Sequence, residues 1–271
     1  MRILVKIGGA QLEETGPRSQ LCQAIAAARK QGHEVIVVHG GGNQIRQLGK
    51  ELGIEERYHD GLRVTDARTA EAVLMVLAGS VNRTLVAALQ SAGVPSVGIC
   101  GADGGTFAAR ALEKPGVDLG YVGQVDIVRP QLVRTLLEGD FVPVIATVAP
   151  GVHGYAAQPF FNINADHAAA PLCKAFECDA MIFLTDVDGV RGKDGTVQHG
   201  LTPDDCDELV KTGVASGGMI PKLDAALLAL RENPNALVKI APAGQRDAVL
   251  AALRDDVGTT FCQSACSAHG S

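Results

Sequence analysis

Two lysines near opposite ends of the chain each sit beside a pair of glycines: Lys6 in Lys6-Ile7-Gly8-Gly9, and Lys222 in Gly217-Gly218-Met219-Ile220-Pro221-Lys222. A third cluster, His39-Gly40-Gly41-Gly42, follows an apolar run. Glycine lets main-chain N–H groups approach anionic oxygens, and lysine adds a compact positive charge, so the combination suits phosphate. None of the clusters has the Gly-x-x-x-x-Gly-Lys-Ser/Thr spacing of a P-loop, so a phosphate site here has another design. Singly, each has a plainer reading: a snorkelling lysine at a strand end, or a tight strand-to-helix turn.

Other residues carry weaker signals. Arg63, in Gly61-Leu62-Arg63-Val64-Thr65, offers a planar fork that can bond both oxygens of a carboxylate, although a solvated arginine in a turn is the commoner case. In Asn162-Ile163-Asn164-Ala165-Asp166, Asn164 can cap a helix and Asp166 falls in its first turn, where a carboxylate is favoured. Capping accounts for those two and leaves Asn162 unexplained. Thr185-Asp186-Val187-Asp188-Gly189 is either a turn or the lip of a nucleotide pocket. Asp103-Gly104-Gly105 reads as a hairpin turn without chemistry, and Asp126 and Glu138 as surface residues. Seven cysteines without a Cys-x-x-Cys pair read as reduced thiols. Cys262, Cys266 and His269 have poor spacing for a metal site.

These residues depend on the segments around them. Ile3-Leu4-Val5, Val35-Ile36-Val37-Val38, Val97-Gly98-Ile99, Val142-Pro143-Val144-Ile145, Met181-Ile182-Phe183-Leu184 and Leu237-Val238-Lys239-Ile240 read as strands. Several are apolar at every position, as in a parallel sheet covered on both faces. Residues 122–128 alternate and read as one member of an antiparallel pair. Helical patterns cover residues 19–31, 42–52, 66–78, 80–92, 165–176 and 219–230, with a break expected at Gly79. Thr202-Pro203-Asp204-Asp205 has the marks of a helix start. Strands alternating with helices imply βα units and helices on both sheet faces. In such sheets ligands gather at the carboxyl ends of strands, where the lysine and glycine clusters fall.

The chain has 271 residues, 46% of them apolar and 20% charged, enough for a sizeable core. The net charge of −6 argues against a nucleic-acid partner. No signal-peptide pattern is visible, and no apolar stretch is expected to reach the ~18 residues that span a bilayer. A cytoplasmic protein without a membrane partner is expected. A soft boundary is expected near residue 150, at Ala149-Pro150-Gly151.

In their order, these strings, with Asn82-Arg83 and Gly123, resemble the amino acid kinase family, and within it the branch acting on N-acetyl-L-glutamate. The resemblance spans nearly the whole chain. It implies a three-layer αβα sandwich around a mainly parallel, roughly eight-stranded sheet. Residues 1–150 would bind the acetylated amino acid and dimerise, and residues 151–271 would bind ATP. The implied reaction is phosphorylation of N-acetyl-L-glutamate by ATP to N-acetyl-L-glutamyl 5-phosphate in arginine biosynthesis. An acylated aminoadipate kinase and a non-catalytic sensor of the same fold are the alternatives.

The side-chain carboxylate is ionised at pH 7, its pKa being about 4, so no general base is required. The difficulty is bringing one anion to another. On the resemblance, Lys6 and Lys222 stabilise the transferring group, Asp166 organises both, and Gly8 and Gly9 donate N–H groups, with Mg²⁺ on the phosphates. Gly41, Gly42, Arg63 and Asn162 would hold the substrate, Arg63 on its α-carboxylate. Thr185, Asp186, Val187, Asp188, Gly189, Val190, Arg191, Val214, Ala215 and Ser216 would line the nucleotide. Residues 241–247 depart from the family, which usually has an aspartate-glycine pair and a histidine there. The apolar run Ala72-Val73-Leu74-Met75-Val76-Leu77 suggests a homodimer interface. Arginine-inhibited members resemble hexamers with a helix before the first strand; with a first strand at Arg2, a dimer without that feedback is expected.

Overall fold

The computed structural model describes residues 1–152 and 159–264. β1 (Arg2–Ile7) leads into α1 (Thr15–Lys30), and β2 (Glu34–His39) into α2 (Gly42–Glu51). A short hairpin, β3 (Tyr58–His59) and β4 (Leu62–Arg63), precedes α3 (Ala67–Leu74), a π-helical stretch (Met75–Val81) and α4 (Asn82–Ser91). Next come β5 (Ser96–Ile99), β6 (Phe107–Ala111), β7 (Val122–Val128), α5 (Gln131–Glu138), β8 (Val142–Ala146), β9 (Val148–Ala149) and β10 (Phe161–Ile163). The last part holds α6 (Ala165–Ala175), β11 (Ala180–Thr185), β12 (Gly200–Leu201), α7 (Pro203–Lys211), α8 (Met219–Glu232), β13 (Leu237–Pro242), α9 (Ala248–Ala251) and β14 (Thr259–Phe261).

Eight strands form one sheet in the order β12-β14-β13-β11-β1-β2-β8-β5, and every pairing but β13 with β14 is parallel. Successive residues of a strand face opposite ways, and here both faces are covered. Leu4, Ile36, Val38, Ile145, Met181 and Phe183 join a core with α5, α6 and α8. Ile3, Val5, Val35, Val37, Ile182 and Leu184 join another with α1, α4 and α9. Two-sided burial explains the apolar strand runs and gives the three-layer αβα sandwich. A smaller sheet, β6-β7-β10-β9, pairs β7 antiparallel with β6, as its alternation suggested, and parallel with β10.

Some local expectations fail. Residues 67–91 form one 25-residue helix, unbroken at Gly79 because π-helical bonding carries the chain through that residue. This continuity yields a helix long and apolar enough, at a mean hydropathy of 1.7 over 18 of its residues, to cross a membrane by length and composition alone, contrary to the expectation of no such stretch. Its buried Val73, Leu77, Leu85 and Leu89 pack instead into the core shared with α1. Residues 103–105 are a single 3₁₀ turn, not a hairpin, since β5 and β6 belong to different sheets. Asp126 pairs with Arg110 at 3.2 Å. Cys22, Cys100, Cys173, Cys178 and Cys206 are free and buried, whereas Cys262 is disulfide-bonded, so the reduced-thiol reading fails there. Cys266 and His269, named in the metal reading, lie outside the described residues.

Candidate active site

Because β1, β2, β8 and β11 run parallel and side by side, their carboxyl ends share one edge. That edge brings together the segments after β1 (Gly8, Gly9), β2 (Gly40 to Gly42), β8 (Thr147) and β11 (Asp186). The first two loops touch: a Cβ on Gly9 would lie 3.2 Å from the Gly42 nitrogen. Gln11 joins the first to the last. With its amide oxygen facing the Asp186 N–H at 3.3 Å, its NH₂ donates to the Gly8 carbonyl at 3.0 Å.

Asn164 caps α6 by accepting from the Asp166 and His167 N–H groups at 2.9 and 3.3 Å, which puts Asp166 in the first turn as its spacing suggested. From there Asp166 meets Lys6, the penultimate residue of β1, at 2.5 Å. The two side chains are only 7% and 14% exposed, so this is a buried ion pair. Burial alone would raise the Asp166 pKa. The Lys6 ammonium, with Lys222 adding its field, overrides burial and holds the carboxyl below its usual range. Lys222 is half-buried in the first turn of α8, which packs on α6. Lys222, from the far end of the chain, thus acts on the same carboxylate through its field.

A cavity of 220 Å³ opens on this pair, lined by Lys6, Gly8, Gly9, Gly40, Gly41, Gly42, Arg63, Asn162, Asn164 and Asp166. Arg63 is held in place from three sides. Its Nη2 donates to the Gly42 carbonyl at 3.1 Å, Nη1 meets Glu56 at 2.5 Å, and the guanidinium lies 4.9 Å from the centre of the Tyr58 ring. Arg63 also helps hold the Glu56 carboxyl below its usual range, against a burial penalty acting the other way. Asn162 donates to Thr65 Oγ1 at 3.1 Å, and the buried Thr65 hydroxyl donates to the Arg63 carbonyl at 2.7 Å. Asn162 therefore links β10 to the Arg63 segment. Capping could not explain it, and this bond does.

The model of the amino acid kinase family matches residues 1–239. This chain belongs to that family. The acetylglutamate kinase of Koribacter versatilis (strain Ellin345) is 44% identical over 250 residues, covering 92% of this chain and 93% of its own. That of Solibacter usitatus (strain Ellin6076) is 44% identical over 260 residues, covering 96% and 98%. Among solved structures, smu.665 from Streptococcus mutans UA159 superposes with a TM-score of 0.81 at 28% identity, covering 97% of this chain and 99% of that one. The sequence-based expectation of family and fold is borne out.

Not every site residue suggested by the amino acid kinase resemblance lines the cavity. Thr185 is buried and bonds Asp186 Oδ1 at 2.9 Å. Val190 N–H donates to Thr259 Oγ1 at 2.9 Å, and Arg191 spans Asp188 Oδ2 and the Gly195 carbonyl at 3.2 and 2.7 Å. Val187 and Val214 are half-buried, Gly189 and Ala215 buried, and Ser216 exposed. These two strings lie outside the Lys6–Asp166 cavity. Of the unusual residues 241–247, Ala241 and Pro242 close β13 beside Leu184 and Thr185, and the Thr185 carbonyl accepts from Ala243 N–H at 2.7 Å where the strand gives way to a turn. Sequence reasoning missed Tyr58, Leu77, Val122 and Thr147, which also line the cavity. Nothing local marks them, since they arrive from separate elements.

Proposed function

We propose that the chain is an acetylglutamate kinase. It transfers the γ-phosphoryl group of ATP to the side-chain carboxylate of N-acetyl-L-glutamate, giving N-acetyl-L-glutamyl 5-phosphate and ADP within arginine biosynthesis. The observation that carries the reading is the buried Lys6–Asp166 pair with Lys222 beside it, facing a glycine-walled cavity, in a chain 44% identical to acetylglutamate kinases.

The substrate carboxylate is already ionised, so the chain need not remove a proton. What it must supply is positive charge where the equatorial phosphoryl oxygens gather negative charge. Lys6 and Lys222 do this. Asp166 serves as their organiser: its depressed pKa keeps it an anion that holds Lys6 in place and feels the field of Lys222. The Gly8, Gly9 and Gly41 N–H groups complete the cradle. Arg63 holds the α-carboxylate with guanidinium N–H groups that its bonds to Glu56 and Gly42 leave over, and Asn162 and Gly42 border the same substrate. The Thr185 to Arg191 and Val214 to Ser216 strings hold the nucleotide, with residues 1–150 serving the amino acid and 151–271 the ATP. Among the described residues no group of three His, Cys, Asp or Glu side chains could cage a metal. Mg²⁺ would then be carried mainly by the phosphates of ATP, whose charge it offsets. A homodimer is supported by Met75, 52% exposed on the long helix. The need for ATP supports a cytoplasmic setting.

A substrate one methylene longer is the nearest alternative, and one methylene changes binding by only about 1–3 kcal/mol. A coupled ADP-release assay decides between them. N-acetyl-L-glutamate should give the highest kcat/KM, N-acetyl-L-aminoadipate at most about a tenth of it, and ATP alone only background. The reverse order would assign the aminoadipate reaction, and no release with either would mark a binding protein.

A further inference from the structure

β2 is apolar from Val35 to Val38, yet it ends on a histidine that is fully buried. The His39 ring has two partners: Nδ1 lies 3.0 Å from the Gly40 carbonyl oxygen, and Nε2 lies 2.9 Å from Asn82 Nδ2. Asn82 is also fully buried, and the same Nδ2 donates to the Val144 carbonyl at 2.9 Å. A carbonyl only accepts, so this end of Asn82 is the NH₂ group, and its second hydrogen meets Nε2. Nε2 is therefore the acceptor. The single proton of the neutral ring sits on Nδ1 and is donated to the Gly40 oxygen. Burial keeps the ring neutral, pushing its pKa down to about 4, and the Arg83 guanidinium acts in the same direction.

That hydrogen bond fixes a peptide plane. A trans peptide points its C=O and N–H in opposite directions. Holding the Gly40 oxygen on the imidazole turns the Gly41 N–H away from the ring, and both glycines line the cavity. Neither Gly41 N–H nor Gly42 N–H has an acceptor among the described residues. The surroundings are shaped around the pair. Asn82 opens α4 directly after the π-helical stretch, whose Leu77 lines the same cavity. Only a glycine at position 98 leaves room for its amide, since a Cβ there would lie 1.8 Å from Asn82 Oδ1. A buried polar pair carries a desolvation cost that an apolar pair avoids, so its place in this core needs a reason beyond packing.

We infer that His39 and Asn82 are positioning residues: Asn82 sets the His39 tautomer, and His39 aims the Gly41 N–H at the anion the cavity receives. The identity of that anion rests on the kinase reading above. Two measurements test the pair. Imidazole ¹⁵N NMR of the wild-type protein near pH 7 reads the tautomer without any substrate. A protonated Nδ1 with a bare Nε2 on His39 is expected, and a protonated Nε2 would overturn the inference. In the kinetic arm, His39→Phe keeps a ring but loses both bonds, while His39→Asn keeps a donor at the δ position. His39→Phe should lower kcat about 100-fold with the KM for ATP within about twofold. His39→Asn should recover about tenfold of that loss. Equal losses in the two variants, at equal melting temperatures, would sink the proposal. If His39→Phe does not fold, Asn82→Leu carries the test: the expected result is a mixed tautomer and a roughly tenfold lower kcat, and an unchanged tautomer and rate would count against it. A wild-type protein inactive on N-acetyl-L-glutamate would remove the kinase reading and leave the tautomer measurement standing.

Discussion

Lys222 stands half-buried at the start of α8, close enough to Asp166 to lower its pKa. If it stabilises charge in the transition state, Lys222→Ala should lower kcat about 10²–10³-fold with the melting temperature nearly unchanged. A kcat within about threefold of wild type would dismiss the role. Asp166 makes a prediction of the opposite kind, about stability. Its folded pKa lies below the unfolded value, so its contribution is complete above about pH 4 and is lost as pH falls through the folded pKa. Asp166→Asn leaves Lys6 buried without its counter-charge and should cost about 3 kcal/mol at pH 7. In urea titrations the gap between wild type and Asp166→Asn should narrow as the pH is lowered below about 4. A gap constant from pH 7 to pH 3 would show that the pair does not stabilise the fold through charge. Both residues could be picked out beforehand because lysine beside glycine, and aspartate behind a capping asparagine, carry chemistry in their types and spacing. Tyr58, Leu77 and Thr147 could not, because each is ordinary in its own segment.

At the level of elements, the helix at residues 67–91 and the strand β5 depend on each other. Gly98 in β5 faces α4, and an added Cβ would meet Asn82 Oδ1 at 1.8 Å and Val86 Cγ2 at 3.0 Å. Asn82 is fully buried and held by His39 and the Val144 carbonyl, so it cannot step aside freely. Gly98→Ala should therefore destabilise the protein by about 1–3 kcal/mol, read as a lower urea midpoint at an unchanged slope. A midpoint equal to wild type would mean that α4 shifts without penalty. Gly79 illustrates why the sequence misled about this helix. A glycine in a helical pattern signals a stop when only propensity is weighed. Here the segment is packed against α1, α2 and the main sheet, and the glycine is absorbed in a π turn. The start of α7 had no such conflict. Thr202 and Asp205, three residues apart, form a complete capping box with Pro203 at the first helical position, so local sequence was sufficient there.

The whole molecule takes its site from both halves of the chain. β1 lies between β2 and β11, so a strand from the first residues meets one from beyond residue 180, and Lys6 comes to the first turn of α6. The long helix leaves Met75 exposed and Leu74 half-buried, less apolar surface than the run of residues 72–77 alone suggested. If that face joins two copies, light scattering should give about twice the 28.1 kDa chain mass, and Met75→Lys should shift the population towards monomer. A wild-type monomer, or a hexamer, would reject the dimer. By itself the sequence determined the layers and the parallel strands, and it singled out the glycine clusters as candidates for a phosphate site. Apolar strand runs require cover on both faces, and lysine beside glycine at a strand's end suits an anion although each cluster singly has a plainer reading. Only the tertiary structure decided that Asp166 is paired with Lys6, that Arg63 is already braced by Glu56 and Tyr58, and that Asn82 reaches under the Gly40 turn. Apart from the bracing of Arg63, whose partners lie only a few positions away, those contacts join residues tens to more than a hundred positions apart. They follow from the order in which strands enter the sheet, and no local pattern encodes that order.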